Sequence, residues 1–229
     1  NWLRSYLVGT PTELQKLTAC QTPDLLRAAA PNLVADSDAL AKQGKLEAAI
    51  LGYQTALRWD ASLRFDPTHR ARQLDQESRA EVERTRAEAE RRDAINAAIA
   101  LARQGEIDQA LNKIQQLQQQ YPDFELDANS WNSICWVGAT YNQAAKVLSA
   151  CEQAVNLAPD DWQIRDSRGL ARALTGNISG AIEDFQFFVD GIDNAELKPQ
   201  RQSWIDALRS GKPPSTIFTQ ELLEQLRNQ

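Results

Sequence analysis

The sequence predicts an all-α fold in which helices pair into hairpins that stack as a right-handed solenoid. Three glycines, Gly44, Gly105 and Gly176, stand at the same place in a repeated pattern. In each copy an apolar residue follows the glycine by two positions, an alanine by five and a bulkier side chain by nine. A second helical pattern precedes each glycine. A helix, a glycine-marked turn and another helix, repeated, indicate a helical array, whose extended surface typically binds other proteins.

Composition narrows the classes of partner. The chain has 229 residues, of which 42% are apolar, and its net charge is −6. This acidic balance disfavours nucleic-acid binding, which requires a basic face. No apolar run approaches the roughly 18 residues of a membrane span, and no signal peptide is visible. Because the chain opens with Asn and contains no Met, we expect it to be a piece of a longer protein.

The spacing of the cysteines indicates whether the protein resides in a reducing compartment. Cys20, Cys135 and Cys151 show no disulfide-like spacing, which favours a reducing compartment, the cytoplasm. Cys135 and Cys151 are expected on opposite helices of one hairpin, facing its core. We therefore expect buried, inert thiols, because a redox pair needs exposure and a lowered pKa.

The first elements are a lead-in and a hairpin. Residues 1–30 are expected to form a short helical lead-in, because an apolar stripe at helical spacing opens the chain and Pro23 and Pro31 interrupt the pattern beyond it. The first hairpin is expected over 33–60, turning at Gly44.

A long charged helix is predicted over 68–104, a stretch without Pro or Gly. Such a helix would be about 55 Å long at 1.5 Å per residue. Acid-first pairs, Asp75 with Arg79 and Glu88 with Arg92, support an exposed helix. A solvated helix is the first interpretation, and a lever or partner-docking helix for self-association is the alternative. No heptad stripe persists, which disfavours a coiled coil.

The remaining hairpins and a C-terminal cap complete the fold. Three hairpins are predicted, over 93–121 with its turn at Gly105, 130–158 with its turn at Asn142, and 162–190 with its turn at Gly176. The repeats thus occupy 31–194, and 195–229 form capping helices that shield the last repeat.

Within the cap, one helix is predicted over 199–209 and a last helix from Thr219. Phe218 and Leu223 flank that start as a hydrophobic staple.

The repeats resemble a known family. The pattern W-x2-L-G…A-x3-F…P is matched by Trp131-x2-Ile134-Cys135, Gly169, Ala49-x3-Tyr53, Ala181-x3-Phe185 and Pro159. On these residues the chain resembles divergent tetratricopeptide (TPR) repeats over about 33–192. Val147 and Cys151 replace the alanine and the aromatic residue in the third hairpin.

A narrower resemblance covers most of the chain; residues 132–189 carry it, with the segment DSRGLARALTG at 166–176 as its most specific part. This run is similar to the C-terminal helical region found after WD40 propellers in large cyanobacterial signalling proteins, which often carry a NACHT- or NB-ARC-type (STAND) ATPase. The resemblance implies a non-catalytic sensor or adaptor scaffold of a larger multi-domain signalling or defence protein.

The sequence gives little support for a catalytic, nucleotide-binding or metal site. His69 is the one histidine, and it lies among arginines without an activating Cys or Ser. No Walker A or GxGxxG motif occurs, and the Cys and His residues do not suggest a zinc site. We therefore predict no enzyme, cofactor or metal. A regulatory segment of a hydrolase that uses carboxylates alone stays a remote alternative.

The resemblance to TPR arrays implies a concave groove lined by the first helix of each hairpin. Eight residues are expected to face it: Lys42, Arg92, Arg103, Asn132, Trp136, Thr140, Gln163 and Asp166. Polar residues with one large aromatic suit an extended or helical peptide, from another protein or from other domains of the full-length chain. Val34 and Asp38 stand where a Lys/Asn clamp for a C-terminal carboxylate would be needed, which disfavours that ligand.

Overall fold

The computed structural model describes residues 22–192 and 197–228 of the chain. Those residues form eleven helices and no strand: α1 Pro23–Lys42, α2 Leu46–Trp59, α3 Pro67–Arg103, α4 Ile107–Gln120, α5 Ala128–Thr140, α6 Ala144–Leu157, α7 Trp162–Leu174, α8 Ile178–Gly191, α9 Leu197–Arg209, α10 Pro214–Ile217 and α11 Gln220–Arg227. α1 packs with α2, α5 with α6 and α7 with α8. The predicted all-α class of paired helices, with one long charged helix and C-terminal helices, is confirmed. The chain divides into two compact units, Asn1–Ala89 and Glu90–Gln229.

The four predicted turn residues all adopt the left-handed backbone conformation. The φ angles are +76° at Gly44, +83° at Gly105, +88° at Gly176 and +58° at Asn142. Glycine has no Cβ to oppose a positive φ, and asparagine tolerates it better than most residues. These four positions therefore end the first helix of each hairpin, as the sequence predicts.

The first helix of the first unit begins earlier than predicted. α1 starts at Pro23 and continues through Pro31, although proline has no N–H to donate to the carbonyl four residues earlier. Ala30 and Leu33, on either side of that proline, pack in one buried cluster with Ala56 of α2. Packing against α2 thus overrides the helix-breaking tendency. The lead-in predicted over 1–30 falls largely on residues outside those described.

A polar cluster ties α1 to α2 and α3. The Asp38 carboxylate accepts hydrogen bonds from Arg70 at 2.7 and 2.8 Å and from the Tyr53 hydroxyl at 2.5 Å. The Arg70 hydrogen bonds hold the pKa of Asp38 below its usual value. Burial raises the pKa of the Tyr53 hydroxyl. Asp38, which replaces the amide of a carboxylate clamp, therefore holds the hairpin together.

The second unit has a large main core and a smaller buried cluster of Ala154, Val155 and Ile164. Ala98 and Ala102 of α3 share the main core with Ile107 and Ala110 of α4, and it extends through the later helix pairs to α11. α9 packs on α8, so it continues the succession of helices. α10 and α11 instead contact α7 and α5, the first helices of two earlier pairs.

The predicted start of the last helix is confirmed at its N-cap, Thr219. The Thr219 hydroxyl accepts a hydrogen bond from the Leu222 N–H at 3.3 Å, and Phe218 and Leu223 are both buried. The short helix α10 lies between the two helices predicted for the cap, and its start is favoured by Pro214, because proline suits the first position of a helix.

The third hairpin contains a disulfide that corrects the prediction of free thiols. Cys135 of α5 and Cys151 of α6 are bonded, with their Cα atoms 4.9 Å apart. Both are fully buried, as expected, but they are not free thiols. The bond forms because the two positions face each other across the hairpin. It also removes the observation on which the reducing compartment was predicted.

Candidate partner-binding surface

The predicted groove residues divide between the two units. Lys42 belongs to the first unit, where its side chain is exposed and its carbonyl accepts a hydrogen bond from Ser78 Oγ at 3.0 Å. The other seven belong to the second unit. Arg92, Arg103 and Gln163 are exposed there and accessible to a partner.

Thr140 and Asp166 are buried, which corrects their predicted role. The Thr140 hydroxyl donates to the Val137 carbonyl at 2.9 Å within α5. Asp166 accepts from Arg201 of α9, with the shortest hydrogen bond at 2.7 Å. Burial raises the pKa of Asp166, while the Arg201 hydrogen bonds favour its charged form. Both side chains are satisfied within the chain, so neither is available to a partner.

Asn132 and Trp136 occupy successive turns of α5 and are half-buried. The Trp136 ring packs against the core of the second unit. The Asn132 Oδ1 atom is buried and accepts no hydrogen bond from the described residues. An unpaired buried acceptor is costly, so Asn132 marks a point where an added donor would stabilise the surface.

The C-terminal helices cover part of the same region. α11 packs on α5 with Leu223 and Leu226 buried, and α10 packs on α7. The Arg227 guanidinium lies 3.8 Å from the ring centroid of Tyr141, at the end of α5. The Tyr141 hydroxyl in turn donates to the Arg103 carbonyl at 2.7 Å. We name the surface of α5 and α7 that α10 and α11 contact the first-helix face.

An aromatic cluster anchors the start of that C-terminal segment. The Phe218 ring lies 5.1 Å from the Trp204 ring in an edge-to-face arrangement, and 6.2 Å from the Phe185 ring. Phe218 and Trp204 are 3% and 4% exposed. Both rings therefore belong to the core of the second unit.

A buried ion network, which sequence reasoning missed, holds the last hairpin. Arg168 donates to Asp184 at 2.7 and 2.8 Å and to Glu152 of α6 at 2.9 Å. Arg172 donates to both carboxylates, at 3.0 and 2.9 Å. Both arginines lie in the DSRGLARALTG segment, one helical turn apart. Because that spacing puts two cations on one side of α7, it was the available signal for a structural network.

A separate cleft of about 350 Å³ lies beside Trp131. Its lining also includes Gln118 of α4, the end of the loop before α5, and Leu157, which is 47% exposed. Trp131 is half-buried here and packs against the core. The lining is mixed in character, and no unpaired buried group among the described residues points to a ligand within it.

The long helix α3 has an exposed middle. Residues 79–86 are exposed on every side, over two helical turns. Asp75 and Arg79 form the predicted ion pair at 2.9 Å. Glu88 lies 3.9 Å from Arg84 instead of pairing with Arg92 as predicted. This stretch is solvated, in agreement with the first interpretation of the sequence.

No helix in the described part of the chain has the length and apolar character needed to cross a membrane. Across 22–192 and 197–228, no group of three or more His, Cys, Asp and Glu residues is arranged to hold a metal ion.

Comparisons with known proteins show a likeness to solved structures. No protein-family model and no curated protein matches the chain. Among solved structures, the chain is similar to the TPR domain of P58(IPK), with 15% sequence identity and a TM-score of 0.45. The match covers 80% of this chain and 47% of that one, so the chain spans about half the length of the solved structure.

Proposed function

We propose that this chain is a non-catalytic protein–protein interaction module whose second unit binds a helical segment on the first-helix face. The observation that carries the proposal is the packing of α11 on α5. A surface that already accepts an amphipathic helix, with Leu223 and Leu226 directed into it, has the shape and apolar character for helix recognition.

The residues around the face suit such a ligand. Trp136 supplies a large aromatic side chain of the kind that dominates binding energy in interfaces. We propose that exposed Arg103, at the end of α3, and Gln163, at the start of α7, form the polar rim of the face, which favours correct pairing more than affinity. Together these features favour a helical ligand with an apolar stripe and polar edges.

The wider role rests on the resemblance. As in the proteins that the segment at 166–176 resembles, we propose a sensor or adaptor scaffold within a larger signalling or defence protein that carries WD40 or STAND ATPase portions. The partner is then another protein or another domain of the same full-length chain. Cytoplasmic localisation is part of this proposal and rests on the resemblance, since the disulfide of the third hairpin removes the argument from free cysteines.

Photo-crosslinking from single positions tests the proposal. A photoreactive amino acid placed at Gln163, at the exposed start of α7, is expected to capture a protein partner in cells that produce the full-length protein. The matched control carries the same amino acid at Gln116, exposed on the second helix α4. Capture from both positions alike, or from Gln116 alone, would reject the first-helix face as the binding surface.

A second candidate function, self-association, is favoured by the two turns of α3 that are exposed on every side. Val82, in the middle of residues 79–86, is 66% exposed. If this stretch joins two copies, sedimentation equilibrium gives a dimer that Val82→Lys converts to a monomer. A wild-type chain that stays monomeric at high concentration removes this candidate.

A further inference from the structure

We propose that residues 213–228 are a displaceable occupant of the first-helix face, and that the partner helix replacing them repeats their side-chain pattern. That pattern is an aromatic residue followed by leucines five and eight positions later and an arginine at nine, as in Phe218, Leu223, Leu226 and Arg227. The inference rests on the proposed function, because it takes the same face as the binding surface. It adds the chemistry of the partner and a device that regulates access.

The first support is the path of the chain. α9 packs on α8 and thereby shields the last helix pair, which is what a capping helix must do. α10 and α11 are not needed for that task and lie on α7 and α5 instead. The connection at 210–213 is exposed along its whole length, and a Cβ added at Gly211 would meet no atom within 4 Å. Nothing in this described connection packs the segment in place.

The second support is the way the segment is held. Phe218 enters an aromatic pocket beside Trp204, and Leu223 and Leu226 enter the core. Arg227 covers the Tyr141 ring. These contacts come from one side of a single short helix and the residue before its N-cap. They form the same kind of anchor set with which helical peptides dock into grooves.

The third support is that the polar match is incomplete. The Arg227 Nε atom is buried and donates to no acceptor within the described residues. Asn132 Oδ1, on the helix that α11 contacts, is buried and lacks a donor there as well. Each unsatisfied group weakens the present arrangement. A partner helix whose arginine finds an acceptor would bind the face better than the chain's own segment does.

The length of α11 makes opening feasible. It has 8 residues, and helices shorter than about 12 residues are not stable alone in water. The released segment would therefore lose its helix, and binding and folding occur together. Because the segment is tethered, its effective concentration at the face is in the millimolar range. The face is therefore open in only a small fraction of molecules, and this fraction reduces the apparent affinity for an incoming helix.

The test uses the full chain with a site-specific protease sequence inserted between Gly211 and Lys212, cut after folding. The probe is a fluorescent synthetic peptide of residues 213–228. The cut chain is expected to keep its helical circular dichroism spectrum and to exchange its fragment for the probe. The uncut chain should bind the probe at least about tenfold more weakly, because its own segment competes.

Matched probes locate the contacts. A peptide with Leu223→Asp and Leu226→Asp should bind the cut chain at least about tenfold more weakly, whereas Glu224→Gln, at an exposed position, should leave binding unchanged. Equal probe binding by cut and uncut chains would overturn the proposal. A cut chain that unfolds, or that never exchanges its fragment, would overturn it too, because the segment would then be a fixed part of the core.

The outcome is separable from that of the proposed function. Exchange is measured with the chain's own segment and requires no cellular partner, whereas crosslinking from Gln163 requires one. Exchange without capture would reject the interaction role and leave an intramolecular lock. Capture without exchange would reject the displaceable segment alone.

Discussion

Gly138→Ala is expected to destabilise the second unit, although alanine is the better helix former. A Cβ built at Gly138 would lie 2.4 and 2.8 Å from the two Cγ atoms of Val147 and 3.1 Å from its Cβ. A β-branched side chain in a helix has one strongly preferred rotamer, so Val147 cannot turn aside. Overpacking costs about 3 kcal/mol at this degree of overlap. Helix propensity returns about 1 kcal/mol. The net loss of unfolding free energy is therefore about 2 kcal/mol.

A double-mutant cycle isolates the contact. Val147→Ala alone removes two buried methyl groups and should also destabilise. In the Gly138→Ala background the same change relieves the overlap. The double variant should therefore lose about 2 kcal/mol less unfolding free energy than the two single variants lose together. Urea unfolding followed by circular dichroism measures each variant, with equal m-values as the check on a common transition. Additive effects, or a Gly138→Ala chain as stable as wild type, would refute the steric argument.

Three further perturbations test other contacts. Asp166→Asn leaves the Arg201 guanidinium buried without its counter-charge and should lower the unfolding free energy by about 3–5 kcal/mol in urea titrations, unlike Glu183→Gln at an exposed position. Reduction of Cys135–Cys151 should lower it by about 3 kcal/mol, given a separation of 16 residues, and the denatured unreduced chain should expose one thiol instead of three. The lowered pKa of Asp38 means that its stabilisation is complete above its unfolded pKa and lost as pH falls through the folded value, so Asp38→Asn should flatten the acid dependence of Tm below about pH 4.

Local signals predicted the fold well. A positive φ at Gly44 or Asn142 is a property of a single residue, and helical periodicity extends over one hairpin, so both are visible in sequence. The continuation of α1 through Pro31 was not visible, because it depends on packing against α2. The pairing of Asp166 with Arg201 joins residues of two helices that are far apart in sequence, and no local pattern announces it.

The proposed binding surface could be predicted only in part for the same reason. The resemblance to TPR arrays pointed to the first helices, on which α10 and α11 lie. It could not foresee that the chain itself would cover them, since a repeat template describes hairpins and not the path of the chain after the last one. Of the predicted residues, those with exposed side chains, such as Gln163, stay candidates, and Thr140 does not.

The sizes of the side chains at two positions of each hairpin compensate each other. Seven residues before each turn stands a small residue and nine after it a larger one: Ser37 with Tyr53, Ala98 with Ile114, and Gly169 with Phe185. A Cβ at Gly169 would lie 2.9 Å from the Phe185 ring, so the two positions share one volume.

The third hairpin fills the same space with two side chains of similar size. Its pair at these positions is Cys135 with Cys151, each of intermediate size, and the two sulfurs fill the space by bonding. A second pair of positions lies four residues before and five residues after the turn. The other hairpins place a large residue and an alanine there, as in Leu101 with Ala110, whereas the third hairpin places Gly138 against Val147. Two cysteines at seven before and nine after a turn therefore face each other in any hairpin of this register. Counting from Asn142 would have predicted the disulfide that the separation along the chain alone did not.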